Sequence, residues 1–213
     1  MKTMRILQKD KKTYAIITPV PLGLVTVDFL QKLLEVAKKY EIKTMKFTSA
    51  TRVILIGLKE EEIDEVWKDL GISPEAAKPT NVRIKVCPGD FCRLGQLDTF
   101  ELGAELDKRY YGKNFPAKFK IAVSGCVNDC AEACIKDLGF IAKSKGWTVT
   151  VGGCGASRPL LAKELVKDVS TEEALKIAEK VAKFYEEKGQ KKMRLGHLIE
   201  KFGWEEFCKE ILG

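Results

Sequence analysis

The chain has 213 residues, a mass of 23.9 kDa, 45% hydrophobic residues and a formal charge of +7, enough apolar sequence for one ordinary domain or two small lobes. No apolar run approaches the ~18 residues a membrane span needs, and the opening Met-Lys-Thr-Met-Arg-Ile-Leu-Gln-Lys-Asp has no apolar signal core, so a cytoplasmic protein with no membrane partner is expected. Seven cysteines is an odd count that argues against a disulfide framework and for metal or cofactor ligation.

Residues 14–20 read as a short strand, closed by Pro21 and Gly23. Thr26 is placed to cap a helix whose apolar positions Phe29, Leu30, Leu33, Leu34 and Ala37 follow one helical face. Two strands are predicted over 44–48 and 52–58. A second helix follows, with Ile63, Val66, Trp67 and Leu70 on one side and Gly71 and Pro74 at its end. The pattern strand, helix, strand, strand, helix is a small α+β unit. Residues 73–80, Ser-Pro-Glu-Ala-Ala-Lys-Pro-Thr, read as a linker, which sets two domains at 1–75 and 76–213.

Beyond the linker, 82–86 reads as a strand running directly into Cys87. A helix is predicted over 95–108 and a strand over 119–123, ending at Ser124-Gly125-Cys126. Strands near 139–142 and 148–151 form a predicted hairpin around Lys145-Gly146. Ser170-Thr171-Glu172-Glu173 is a capping box that opens a long helix. A helical pair split at Gly203 ends the chain. The expectation is an α+β fold with a mixed sheet in the second lobe.

Six of the seven cysteines lie between 87 and 154. Four of them form two close pairs, Cys87-Pro-Gly-Asp-Phe-Cys92 and Cys126-Val-Asn-Asp-Cys130, and Cys134 follows at the same spacing as the second. Each pair sits at the end of a predicted strand, where a loop can fold thiolates back on a metal. Four thiolates are what a 4Fe–4S cube needs. Zinc favours a shorter gap within each pair, and buried structural thiols are the third alternative. Cys134, Cys154 and Cys208 read most simply as buried residues.

Cys-Pro-Gly-x-x-Cys, a strand, then Ser-Gly-Cys-x-Asn-x-Cys-Ala resembles the cofactor signature of the sirohaem-containing sulfite and nitrite reductases. Residues 17–72 are similar to that family's ferredoxin-like half-domain, including Thr48-Ser49-Ala50-Thr51-Arg52 before an apolar strand. Asp137-Leu-Gly-Phe, Val151-Gly-Gly and Arg194-Leu-Gly-His extend the likeness. One copy of the module is present, as in the small assimilatory-type sulfite reductases of anaerobes. The resemblance implies a 4Fe–4S cluster on Cys87, Cys92, Cys126 and Cys130, with Cys130 bridging to sirohaem. It implies sirohaem contacts from Asn128, and by position from Thr48, Ser49, Ser157 and Arg158. Lys85 and the Gly152-Gly153-Cys154-Gly155 loop are further candidates, the loop being equally a plain tight turn. Arg52, Arg83, Lys118 and Lys120 match the residues that hold the anionic substrate. Two departures stand out: four residues, not five, separate Cys87 from Cys92, and Val127 replaces a proline. Cys134 is the replacement ligand if one of the first pair falls short.

The implied activity is six-electron reduction of sulfite to sulfide, with nitrite as an alternative substrate and a non-catalytic electron-transfer role as an alternative class. Arginine offers a charged planar fork to oxyanions, and lysine can release a proton when crowded by cations. Lys118 and Lys120 alternate about Phe119, so both face one side of a strand; on an unrelated strand the same pattern is a solvated face. A ferredoxin or another low-potential acidic carrier is the expected donor, helped by the +7 charge. An aromatic content of 8% offers no stacking platform, so no nucleic-acid partner is expected. A lone ferredoxin-like half leaves a sheet edge to cover, and a homodimer is expected to cover it.

Overall fold

The computed structural model describes residues 4–73, 76 and 80–213. Most of the expected linker, and the boundary drawn within it, lies outside the described residues. The chain divides into two compact units, 1–79 and 80–213. Among the described residues no helix is long and apolar enough to cross a membrane.

The first unit carries an antiparallel sheet in the order β1-β2-β4-β3, built from β1 (Ile6–Leu7), β2 (Tyr14–Thr18), β3 (Thr44–Phe47) and β4 (Val53–Leu58). Helices α1 (Val27–Lys39) and α2 (Ile63–Asp69) complete it. The Thr26 side chain accepts the Phe29 N–H at 3.1 Å, the expected cap. The core gathers Ile16, Leu33, Val36, Val53, Leu55, Val66 and Trp67. Leu30 and Leu34, expected on the buried face of α1, are exposed, and Val36 is buried instead. β1 and β3 are the edge strands of this sheet, and all of their residues are exposed.

The second unit carries a mixed sheet ordered β5-β6-β7-β8-β9: β5 (Val82–Val86), β6 (Phe119–Ser124), β7 (Leu138–Lys143), β8 (Gly146–Val151) and β9 (Lys163–Val169). β5, β6 and β7 run parallel, and β7, β8 and β9 antiparallel. Helix α3 (Thr99–Tyr110) makes the crossover from β5 to β6 that a parallel pair requires. Helices α4 (Thr171–Lys188), α5 (Leu195–Phe202) and α6 (Trp204–Leu212) follow β9. The α+β class and the mixed sheet are as expected; β1 and β9 are additions.

Register sorts this sheet into two unlike faces. One carries Val82, Ile84, Phe119, Ile121, Val123, Leu138, Phe140, Trp147 and Val149, apolar throughout. It packs on α3 and α4, where Tyr110, Phe115, Phe119 and Tyr185 form an aromatic cluster with centroids 4.5 to 6.4 Å apart. The other face carries Arg83 opposite Lys120, Lys85 opposite Ala122, then Gly139, Ile141, Thr148 and Thr150.

Candidate functional site

β5 and β6 are parallel neighbours, so both cysteine loops leave the same edge of the sheet. Cys87 follows the last residue of β5, and Gly125-Cys126 follows the last residue of β6. Two glycines let the loops touch backbone to backbone. A Cβ on Gly89 would fall 2.7 Å from the Thr99 side chain and 3.1 Å from the Cα of Gly125; one on Gly125 would fall 2.9 Å from the Cα of Gly89. The Gln96 N–H donates to the Gly125 carbonyl at 2.9 Å and the Cys87 N–H to the Val123 carbonyl at 3.0 Å, which ties the loops together.

Each loop is braced by an aspartate. Asp90, between the first two cysteines, accepts the Thr99 and Phe100 N–H groups, each at 3.1 Å, and so caps α3. Asp98 accepts the Glu101 N–H at 2.8 Å. These two carboxylates start α3 at Thr99 rather than at the expected residue 95. Asp129, between the second two cysteines, accepts from the Ser124 hydroxyl at 2.7 Å and from the N–H groups of Ala133 (2.7 Å) and Cys134 (2.9 Å). That bonding holds Asp129 at a positive φ of 49°.

The result is a cavity of about 70 Å³ lined by Cys87, Cys92, Cys126 and Cys130, with Gly89, Gly95 and Gly125. The Gly125 N–H donates to Cys87 Sγ at 3.0 Å, a bond that favours the thiolate. Burial pushes the Cys87 thiol up, and the nearby Cys130 and Cys126 sulfurs add to it; a cationic metal core among them would reverse that balance. A single zinc ion, with Zn–S bonds of about 2.3 Å, would draw its thiolates to about 3.8 Å from one another. Among the described residues no three Cys, His, Asp or Glu side chains are arranged to hold one ion. Four thiols around a cavity fit a 4Fe–4S cube better.

Cys134 is exposed rather than buried, since its turn is held outward by Asp129. Cys154 is buried as expected, and Cys208 is half-buried. Beside Cys87, Glu132 draws in Lys136 (2.8 Å) and Lys85 (3.2 Å). The hydroxyls of Thr148 and Thr150 on the same sheet face are buried without a hydrogen-bond partner among the described residues. Lysines and hydroxyl donors on this sheet face suit a macrocycle bearing eight carboxylates. Asn128 is exposed between Cys126 and Cys130. Ser157 and Arg158 are exposed in the loop after β8, where Arg158 pairs with Glu200 at 3.0 Å. Thr48, Ser49 and Arg52 belong to the first unit, in the β3–β4 turn, which the Thr48 hydroxyl closes by accepting the Arg52 N–H at 3.1 Å.

The basic pair and the thiols mark opposite ends of one strand. Lys118 precedes β6 and Lys120 is its second residue, whereas the cysteines lie beyond Ser124 at its far end. At ~3.3 Å per residue, Lys120 and Ser124 are about 13 Å apart along the strand. Arg83 is the register partner of Lys120, and its Nη1 donates to the Thr80 and Val82 carbonyls at 2.5 and 2.6 Å. Lys120 is half-buried; burial pushes its pKa down, and the Arg194, Lys136 and Lys118 cations push the same way against the pull of Asp137.

The family model described as "Nitrite and sulphite reductase 4Fe-4S domain" matches residues 75–213, and the "Nitrite/Sulfite reductase ferredoxin-like half domain" matches 6–71. The chain belongs to the nitrite and sulphite reductase family. Within it, the chain is 37% identical over 210 residues to a "Sulfite reductase, assimilatory-type" of Nitratidesulfovibrio vulgaris, a match covering 98% of this chain and 96% of the other. It is also 37% identical over 199 residues to a "Nitrite reductase [NAD(P)H]" of Bacillus subtilis, of which it spans only 25%. The structure of the Mycobacterium tuberculosis NirA protein superposes with a TM-score of 0.79 at 22% identity, over 94% of this chain and 40% of that one, which speaks for the fold alone.

Four braces of this reductase-family site escape a reading of spacing. Asp90 and Asp129 stand inside the cysteine motifs, and a carboxylate between two thiol ligands is itself a signal that backbone N–H groups need an acceptor. Asp137 and Arg194 open two of the motifs that carry the family likeness, but their pairing, across 57 positions of sequence, leaves no local signal.

Proposed function

We propose that the chain is a sulfite reductase, reducing sulfite to sulfide with six electrons and six protons at a sirohaem coupled to a 4Fe–4S cluster. The observation that carries this reading is the convergence of Cys87, Cys92, Cys126 and Cys130 on one cavity, in a chain that an assimilatory-type sulfite reductase matches almost from end to end. In this reading those four cysteines would hold the cluster, and Cys130 would also serve the sirohaem. Asn128, Thr48, Ser49, Ser157, Arg158 and Lys85 serve the sirohaem carboxylates. When bound, the two groups supply the single-electron steps that a six-electron reduction requires. Arg52 and Arg83 hold the oxyanion. Lys118 and Lys120 add positive charge and hand protons to the departing oxygens, which leave as water. The donor is a small acidic, low-potential carrier in the cytoplasm. Nitrite is the alternative substrate, supported by the similarity to nitrite reductases, one of them at equal identity, of which the chain spans a quarter or less.

The reading includes a homodimer. Lysines and thiols at opposite ends of β6 make a complete site if the basic end of one copy meets the thiol end of a second. The function is tested on protein purified without oxygen. About five iron atoms and four acid-labile sulfides per chain, a haem-type absorption band and sulfide formed from sulfite are expected. Zinc in place of iron, or ammonia from nitrite with no sulfide from sulfite, defeats it.

A further inference from the structure

The segment between α4 and α5 is laced to the start of β6 by bonds that the cofactor loops do not use. The Tyr185 hydroxyl donates to the Met193 carbonyl at 2.7 Å. The Lys192 N–H donates to the carbonyl of Pro116, two residues before Lys118, at 3.0 Å. Next comes Arg194, the residue that opens α5, and its guanidinium grips Asp137 through Nε (3.0 Å) and Nη2 (2.5 Å). Asp137 is fully buried, and Arg194 keeps only 11% of its side chain exposed. The same Asp137 oxygen that takes Nη2 also takes the backbone N–H of Lys120 at 2.7 Å. Three hydrogen bonds to one buried carboxylate therefore set a fixed cation against the Lys120 backbone.

For stability alone this is a poor arrangement. A buried ion pair gains little over an apolar pair of the same size, and a cation at the start of a helix faces the wrong end of its dipole. Around Lys120 the charged groups are Arg194 from α5, Lys136 and Asp137 from the approach to β7, and Lys118 on its own chain segment, with Arg83 in register on β5. Of these, Arg194 is the one clamped in place by a partner that also grips Lys120.

We propose that Arg194, clamped by Asp137, is a positioning residue for Lys120, holding a fixed positive charge beside it so that this lysine gives up its proton readily to substrate. The inference rests on the reading of Lys120 as a substrate-facing proton donor. The lowered proton affinity of Lys120 agrees with it, and the geometry is independent of that value.

The two members of the pair should act on Lys120 in opposite directions, which no purely structural staple does. In the purified holoprotein, pulse acylation of lysines read by peptide mass spectrometry against pH gives the titration of Lys120, with exposed Lys145 as reference. Arg194→Gln should raise the Lys120 midpoint by about one pH unit or more, because a like charge is lost; Asp137→Asn should lower it, because the opposing carboxylate is lost. If Asp137 takes up a proton once Arg194 is gone, the first shift shrinks but keeps its sign. Arg194→Lys should return the midpoint toward wild type. If either single variant fails to fold, the Asp137→Asn/Arg194→Gln double variant, neutral and similar in shape, should fall between the two single predictions, above the Asp137→Asn midpoint. Shifts of the same sign in the two single variants, no shift in either, or a midpoint unmoved in all variants overturn the proposal. The alkaline limb of sulfite turnover should follow the labelling. If the labelling moves and that limb does not, the pair still tunes Lys120, and it is the proton-donor role proposed for the lysine that fails.

Discussion

The two faces of the five-stranded sheet are made by alternate residues of the same strands, yet they share almost no chemistry. On the helix side Phe119, Ile121, Phe140, Trp147 and Val149 are wholly buried. On the other side Arg83, Lys85 and Lys120 stay half-buried and charged. The difference shows how a strand can carry stability and reactivity at once, because a side-chain period of two never mixes them. The helix face is free to be packed tightly, and the opposite face is free to keep cations that no core would tolerate unpaired.

Four experiments sharpen this contrast. The largest effect is expected on the basic side. Lys118→Met with Lys120→Met should lower sulfite turnover by about 10²- to 10⁴-fold while the cofactor spectrum and melting curve stay near wild type. Mixing that variant with Cys130→Ser, itself without the wild-type spectrum and inactive, should restore part of the rate if one copy supplies the lysines to the other's thiols. Two inactive proteins that remain inactive after subunit exchange would mean the site is not shared. Next, Phe119→Ala on the helix face, between those two lysines, should cost about 3–5 kcal/mol in chemical denaturation. Its turnover per folded, loaded chain should persist; a loss as deep as that of the lysine variant would show that the faces are coupled. Smallest, Ser170→Ala removes the capping box of α4, whose Oγ accepts the Glu173 N–H at 3.2 Å. It should cost about 1 kcal/mol and leave the pH dependence of turnover unmoved.

The elements with strong periodicity were legible from the residues alone. β5, β6 and the β7–β8 hairpin fall where the apolar runs put them, and α4 begins at its capping box. β9, Lys-Glu-Leu-Val-Lys-Asp-Val, was not legible. It lies at the sheet edge, where only Leu165 is buried and four of the seven residues are charged, so it has neither a clean alternation nor an apolar run. The start of α3 was displaced because Gly95 is not a helix residue but a point of close approach, where a Cβ would sit 2.0 Å from the Gly89 carbonyl oxygen. The cysteine pairs announce themselves by spacing, whereas the two lysines stand out only through the family resemblance, because their alternation alone reads as a solvated face. Their places at opposite ends of β6 were already legible, since the expected strand begins beside Lys118 and runs out at Cys126. The pairing of Asp137 with Arg194 is invisible for a different reason: it is created by the return of α5 to the sheet.

The parallel pairing of β5 with β6 also has a consequence in time. Thiols 87 and 92 leave the ribosome some forty positions ahead of 126 and 130, and they stand two by two until β6 docks beside β5 and Gly125 meets Gly89. A crossover of that length must close before any four-thiol pocket exists. Loading of the proposed metal centre would thus be coupled to the completion of this one strand pair. Until residue 130 has been made, the four-thiol pocket cannot form.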